Sequence, residues 1–497
     1  MGAAVPLERI ARAIQDHIER VVGDTSISIT DVAYDARGAT AGSLFCAIPG
    51  QVTDGHLYID DALRGGAAAL LVERPSHAEV PQIVVSNARR AMALAAAEFF
   101  GHPADGLTLL GVTGTNGKTT TAYLLATILE RAGHTTGLIG TVETRIAHKV
   151  TPGVRTTPES VDLQRLLAEM RDGSVTAVAM EVTSHGLVLE RVEGITFAAA
   201  GFTNLSQDHL DFHSSMDDYF AAKSSLFDPA RTRAGAINID DPYGEKLIAN
   251  ASVPCISFGV STEADVRATD VELGPTSTSF ALETPRGSAP VRNRLVGHFN
   301  VTNCLAAAAV ALQAEIAFDA IVAGLNDVPS VPGRFESIDR GQPFTVVVDY
   351  AHTPDSLDNV LAAARPLADL HGGRVLVAFG CGGDRDRAKR PLMGAAAARR
   401  ADIVVVTSDN PRSEEPGAII AEIIEGVIAV RASGPDHVDA DRRAAIAWLL
   451  GMARAGDIVV IAGKGHETGQ TFADKTIPFD DRIVAGEILR DLDASRG

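Results

Sequence analysis

The segment GVTGTNGKTTT at 111–121 constrains this chain more than any other. It follows LTLLGV, an apolar run of strand length, and opens a helical pattern running from Lys118 to Arg131. Between a strand and a helix, glycines let backbone N–H groups converge on phosphate oxygens. Lys118 adds a point charge and Thr119 a hydroxyl suited to Mg²⁺. Gly114, Thr115, Asn116, Gly117, Lys118, Thr119 and Thr120 are therefore the candidate nucleotide-binding residues. The strict G-x-x-x-x-G-K-[ST] spelling is not met, because Val112 stands at its first glycine and Gly111 lies one residue early. An ordinary glycine-rich turn is the alternative. The strand–loop–helix setting favours a bound nucleoside triphosphate.

Length and composition set the frame around this loop. A chain of 497 residues allows roughly three domains of about 150 residues each. Asp+Glu 63 against Lys+Arg 44 leaves a formal charge of −19, spread along the chain, so no basic footprint for duplex nucleic acid is visible. Cys46, Cys255, Cys304 and Cys381 lie far apart and form no C-x-x-C, which argues against a disulfide framework or a structural zinc site. MGAAVPLERI lacks the basic start and apolar core of a signal peptide, and no apolar run approaches the ~18 residues of a membrane span. The expectation is a cytoplasmic, monomeric protein without nucleic-acid or membrane partners.

The chain reads as α/β in three domains. Residues 1–105 form a small N-terminal α/β unit in which strands such as SLFCAI (43–48) alternate with alanine-rich helices. Residues 106–332 carry the phosphate loop and further strand-like runs at AVAMEV, FAAAGF and GAINID, which suggests a parallel sheet covered on both faces. VPSVPGRF (328–335) breaks the pattern, and in 333–497 the alternation restarts as a Rossmann-like unit with TVVVDY, RVLVAFG, DIVVVTSDN and DIVVIAGKG. Each of these runs ends in a polar or glycine-rich loop, the edge where open α/β sheets bind ligands. Gly380–Arg385 is not a dinucleotide fingerprint, because it lacks the third glycine of G-x-G-x-x-G.

The spelling GTNGKTT resembles the ATP loop of the Mur ligases and their folylpolyglutamate synthetase relatives, which join an amino acid to a carboxylate at the expense of ATP. EVTSHGL, NLSQDHLDFH, AAKSSLF, GHFNVTN, PGRFE, DYAHTPDSL, GCGGDRDRAKRP, DNPRSEEP and GKGHET extend the likeness, in order, across nearly the whole chain. The resemblance implies that Thr119 and Glu181 hold one Mg²⁺ and that His209 helps hold a second. It makes Lys118, Glu181, His209 and Lys223 the catalytic set, with Lys223 carbamylated; residue type and pattern alone would leave Lys223 on a helix surface. Asn303, Arg334 and Asp349 match nucleotide positions, and His352 lies in the same loop as Asp349.

For the first substrate, the resemblance points to Tyr34, Ala36, Gly50, Gln51, Val52, Thr53, Thr156, Thr157, Thr183 and Arg191. Ala36 replaces a usual serine and removes one hydroxyl contact; Thr183 replaces another and keeps its hydroxyl. For the amino acid it points to Arg385, Asp409, Asn410, Pro411, Arg412, Gly463 and Glu467. An arginine fork grips a carboxylate through two parallel hydrogen bonds, and meso-diaminopimelate carries a second carboxylate where lysine has hydrogen. A charge-assisted bond of ~1.5–3 kcal/mol gives roughly 10–150-fold discrimination. The implied reaction is addition of meso-diaminopimelate to the D-glutamate γ-carboxylate of UDP-N-acetylmuramoyl-L-alanyl-D-glutamate through an acyl phosphate, in peptidoglycan precursor synthesis. L-Lysine or another diamino acid as substrate, a peptide-recycling or folate-extending relative, and a non-ligase ATP switch remain the alternatives.

Overall fold

The computed structural model describes residues 4–50, 53–274 and 277–496, and its sheets follow from the apolar runs. Thr108–Thr113, Ala177–Glu181 and Ala199–Phe202 pair in parallel at the centre of an eleven-stranded sheet. Their residues alternate between two cores. Leu110, Val112, Ala177 and Ala179 pack with Leu124 and Leu125 of the helix Lys118–Arg131, whereas Leu109, Val178 and Met180 pack with Leu163 and Leu187 on the opposite face. The helices that follow two neighbouring strands thus lie on opposite faces, which opens a crevice beyond their carboxyl ends. Register carries Glu181 beside Val112 and Phe202 beside Thr113, so the loops after all three strands meet there.

The sheet is wider than its apolar runs. Glu143–Ile146 and Lys149–Pro152 extend one edge as an antiparallel hairpin, and Val266–Leu273, Thr278–Thr284 and Gly287–Asn293 extend the other. The hairpin strands are partly or fully exposed throughout, and Thr278–Thr284 alternates in burial, so a search for continuous apolar runs passes over them. The N-terminal segment folds around five strands, four of them parallel, in the order Ile18–Val22, Gln82–Val85, Ala69–Val72, Ser43–Cys46, Asp31–Ala33.

The last sheet places Thr345–Asp349, Ile458–Ala462, Val375–Phe379, Ile403–Thr407 and His437–Asp439 side by side in parallel, with the short antiparallel Glu336–Ser337 at one edge. Val375, Val377 and Phe379 face the helices Pro354–Leu370, Lys389–Arg400 and Pro416–Val430; Leu376 and Ala378 face Arg442–Met452 and Asp481–Arg496. Two-sided burial is what leaves the four inner strands as nearly continuous apolar runs. Among the described residues no helix is long and apolar enough to cross a membrane.

Candidate active site

The helix Lys118–Arg131 begins at Gly117, in left-handed backbone (φ 88°), with no side chain capping its first turn. Its first N–H groups stay open to an anion. A β-carbon on Gly117 would collide with the Asn303 Oδ1, and Asn303 is itself held by Asn300 at 3.0 Å. Lys118 Nζ donates to the Gly114 and Thr115 carbonyls at 2.9 and 2.8 Å. Asn116 N donates to Asn204 Oδ1 at 2.9 Å, tying the loop to the neighbouring strand end.

Behind this loop lies a knot of oxygens. Thr119 Oγ1 donates to Glu181 Oε2 at 3.0 Å, and Thr141 donates to both Glu181 oxygens through N (2.8 Å) and Oγ1 (3.1 Å). Arg334, from the segment joining the second and third sheets, donates to Thr119 Oγ1 at 2.9 Å. Lys223 does not lie on the helix surface, as its residue type and setting suggest. It is 1% exposed, donates to the Gly114 carbonyl at 2.7 Å and lies 4.5 Å from the centre of the Tyr219 ring. Burial and the Lys118 charge push its ammonium well below the usual lysine range. The surface expectation fails because the helix Met216–Ser224 packs that face against the phosphate loop. His209, in left-handed backbone (φ 54°), stands 3.3 Å from Asp208 and edge-on to His185. Burial pushes it down to about 3 despite the Asp208 charge.

Asp349 ends its strand buried, accepting from Phe335 N (2.6 Å) and Ala351 N (2.7 Å). Burial raises its carboxyl above the ordinary value, against the Arg334 charge. Arg334 also stacks 4.6 Å over the Tyr350 ring, and His352 Nδ1 lies 2.8 Å from the Tyr350 carbonyl oxygen. Arg334 and Asp349 therefore lie together on the third-sheet side of the loop, and Asn303 reaches it from the helix His298–Gln313 of the central segment. One bridge there was not anticipated: Asp355 accepts from Asn116 Nδ2 at 2.8 Å and from Ser206 Oγ at 3.2 Å.

On the other side, Thr157 Oγ1 donates to the Glu181 carbonyl at 3.0 Å and accepts from Thr183 N and Oγ1. Thr156 Oγ1 meets Thr141 Oγ1 at 3.0 Å, and Arg191 reaches the Thr157 carbonyl and Glu159. Tyr34 crosses from the N-terminal sheet to Asp162 at 2.6 Å, and Ala36 sits half-buried beside it. Gly50 N closes a turn on the Thr53 carbonyl; Gln51 and Val52 lie outside the described residues. These residues form a track from the N-terminal sheet toward the phosphate loop.

Three loops at the carboxyl edge of the third sheet bring the remaining predicted residues together in a separate cluster, the candidate amino-acid pocket. Asn410 donates to Glu467 Oε2 at 2.7 Å, and Arg412 donates to the Gly383 carbonyl at 2.6 Å. Asp409 and Pro411 are buried, whereas Arg385 is exposed and bonds the Asp384 carbonyl. Gly463 packs against the Asp409 carboxylate. Lys464, missed in the sequence, is 0% exposed and donates to Asn410 Oδ1 (3.1 Å), Glu467 Oε2 (2.9 Å) and the Gly469 carbonyl (2.7 Å). Its place within GKGHE was the available signal, but a lysine between glycines reads as solvated.

With this geometry in hand, comparison with known proteins is specific. The profiles of the Mur ligase family catalytic domain, the Mur ligase middle domain and the Mur ligase glutamate ligase domain match residues 28–102, 112–311 and 333–465. The chain is 46% identical over 470 residues to the UDP-N-acetylmuramoyl-L-alanyl-D-glutamate--2,6-diaminopimelate ligase of Geobacillus thermodenitrificans, covering 93% of this chain and 95% of that protein. It is likewise 46% identical over 502 residues to the protein of the same name from Streptomyces coelicolor, covering 98% and 97%. A solved structure of a UDP-N-acetylmuramoyl-L-alanyl-D-glutamate--2,6-diaminopimelate ligase superposes with a TM-score of 0.70 at 32% identity, covering 100% of both chains. This chain belongs to the Mur ligase family.

Proposed function

We propose that the protein is an ATP-dependent ligase that adds meso-diaminopimelate to the D-glutamate γ-carboxylate of UDP-N-acetylmuramoyl-L-alanyl-D-glutamate, a step of peptidoglycan precursor synthesis in the cytoplasm. The observation that carries this reading is near-full-length identity of 46% to ligases bearing that name. The division at 1–105, 106–332 and 333–497 then assigns the uridine-nucleotide substrate, ATP and the amino acid to successive domains.

A carboxylate is a poor electrophile because it is anionic and its leaving group would be oxide. Attack of a γ-carboxylate oxygen on the γ-phosphorus of ATP releases ADP and gives an acyl phosphate. The amine then adds to the carbonyl carbon, the tetrahedral intermediate expels phosphate, and the nitrogen loses its extra proton. The open first turn at Gly117 and the Lys118 ammonium offset charge on the phosphates. Thr156, Thr157, Thr183 and Arg191 hold the dipeptide end, and Tyr34, Ala36 and the Gly50–Thr53 turn the uridine diphosphate. Arg385, Asn410, Arg412, Gly463 and Glu467 orient the incoming amine, with Arg412 on the distal carboxylate and Glu467 on the distal ammonium.

Mg²⁺ fits the oxygen knot. Among the described residues no three His, Cys, Asp or Glu side chains converge as a cage. Thr119 and Glu181, 3.0 Å apart, offer the hydroxyl and carboxylate oxygens that Mg²⁺ shares with phosphates and water. His209 would help hold a second ion, together with Lys223 as its carbamate. When bound, the ions neutralise phosphate charge. The depressed ammonium of Lys223 favours the neutral amine that captures CO₂.

The test is phosphate release with ATP, Mg²⁺ and the UDP-muramoyl dipeptide, comparing meso-diaminopimelate with L-lysine. Release that needs both the dipeptide and diaminopimelate is expected. Equal use of lysine would overturn the amino-acid assignment, and release independent of both would leave an ATP switch.

A further inference from the structure

Arg390 lies one residue into the helix Lys389–Arg400 and is completely buried, an expensive place for a cation unless its fork is matched. The match is Glu414. Arg390 Nη1 donates to Glu414 Oε2 at 2.9 Å and Nη2 to Oε1 at 2.7 Å, a bidentate pair, while Nη1 also reaches Glu422 Oε2 at 3.0 Å. Nη2 touches the Gly382 carbonyl at 3.4 Å.

Glu414 passes this restraint to both loops of the amino-acid pocket. Its Oε1 also accepts from Asp384 N at 2.6 Å, and the Asp384 carboxylate in turn accepts from Ser413 N (3.1 Å) and Ser413 Oγ (2.6 Å). Gly383 N donates to the Asn410 carbonyl at 2.9 Å, and a β-carbon on Gly383 would collide with the Pro411 carbonyl, so the two loops lie backbone to backbone. Arg412 stands inside this zipper in left-handed backbone (φ 51°), a conformation that costs a non-glycine residue and persists only where its surroundings enforce it.

We propose that Arg390 is a positioning residue for amino-acid selection: through its bidentate pair with Glu414 it locks loop 382–385 against loop 409–414 and so fixes the direction of the Arg412 guanidinium. This rests on the ligase reading above. A lysine at 390 would keep the charge but could not form the planar fork.

The experiment measures KM for each of the three substrates and the preference for meso-diaminopimelate over L-lysine, in wild type, Arg390→Lys, Arg412→Ala and the double variant. In Arg390→Lys the KM for diaminopimelate rises about tenfold and the preference falls by a similar factor, equivalent to ~1.4 kcal/mol. The KM values for ATP and the UDP-dipeptide stay within about twofold, a margin under ~0.5 kcal/mol. In the Arg412→Ala background the same change adds nothing to the loss of preference, because the two act as one unit. Glu414→Gln, which keeps the shape and removes the charge, carries the same expectation if Arg390→Lys does not fold. An unchanged preference in a folded variant, an additive double variant, or a parallel rise of all three KM values overturns the inference. A wild type with no preference for diaminopimelate over lysine overturns the amino-acid assignment and this inference together, and one that releases phosphate without either amino acid overturns the ligase reading as well.

Discussion

The phosphate loop and the amino-acid pocket are both built at the carboxyl edge of a parallel sheet, but from different materials. The loop works with backbone: an uncapped helix start at Gly117, carbonyls gripped by Lys118 and Lys223, and few side chains committed outward. The pocket works with buried cations held by carboxylates: Arg390 by Glu414 and Lys464 by Glu467, both half-buried, and Arg442 by the equally buried Asp481 beneath them. Backbone donors suit a phosphate, the same in every turnover. Fixed charges suit a choice between similar amino acids, because a misplaced or missing partner leaves a buried charge uncompensated.

Substitutions in the loop should therefore abolish turnover whatever the amino acid. Lys118→Met is expected to lower phosphate release about 10³-fold with either diamino acid, on the scale of removing a preorganised charge from a transferring group. A loss confined to one amino acid would break the comparison. Lys223→Ala comes next, with a fall of about 10²-fold for want of an anionic oxygen ligand. A short-chain carboxylic acid should restore part of it by placing a carboxylate where the carbamate stood. Absence of rescue across several chain lengths would count against the carbamate.

The pocket should fail differently. Arg412→Ala is expected to erase a preference for diaminopimelate over lysine of roughly 10–150-fold while ATP affinity holds. Isothermal titration of nucleotide beside the turnover assay separates the two effects. A drop in ATP affinity as large as the drop in selectivity would mean that the pocket and the loop are one site.

The same contrast explains what could be read from the chain. The loop was legible because its function lies in local spacing: glycines, lysine and threonine occupy consecutive positions, and the helix from Lys118 to Arg131 has the bounds its pattern gives. The buried parallel strands were legible for a related reason, since two-sided burial removes polar interruptions. What escaped depends on distant partners. Lys223 and Lys464 carry a side chain that is usually solvated, and only the packing of Met216–Ser224 on the phosphate loop, or of 463–471 on Asn410, shows that they are buried. The edge strands escaped because they are exposed or alternate in burial instead of running apolar.

Asp355 ties the phosphate loop to the first long helix of the third-sheet segment and makes the smallest prediction. It stands in the first turn of the helix Pro354–Leu370, whose N-terminus is closed by a capping box between Thr353 and Ser356. Its carboxylate is thereby free to reach across to Asn116 of the phosphate loop and to Ser206. The bonds are solvent-exposed, so each is worth only about 0.5–1.5 kcal/mol, or roughly 2–10-fold in an equilibrium. Asp355→Ala should raise KM for ATP within that range and leave the choice of amino acid untouched, because the bridge touches the loop and not Arg412. Hydrogen exchange at the Asn116 and Ser206 amides should quicken in the same variant, since the third sheet would hold the loop less firmly. A change in amino-acid preference would mean that the bridge also sets the pocket, and the two regions would then be coupled through this contact.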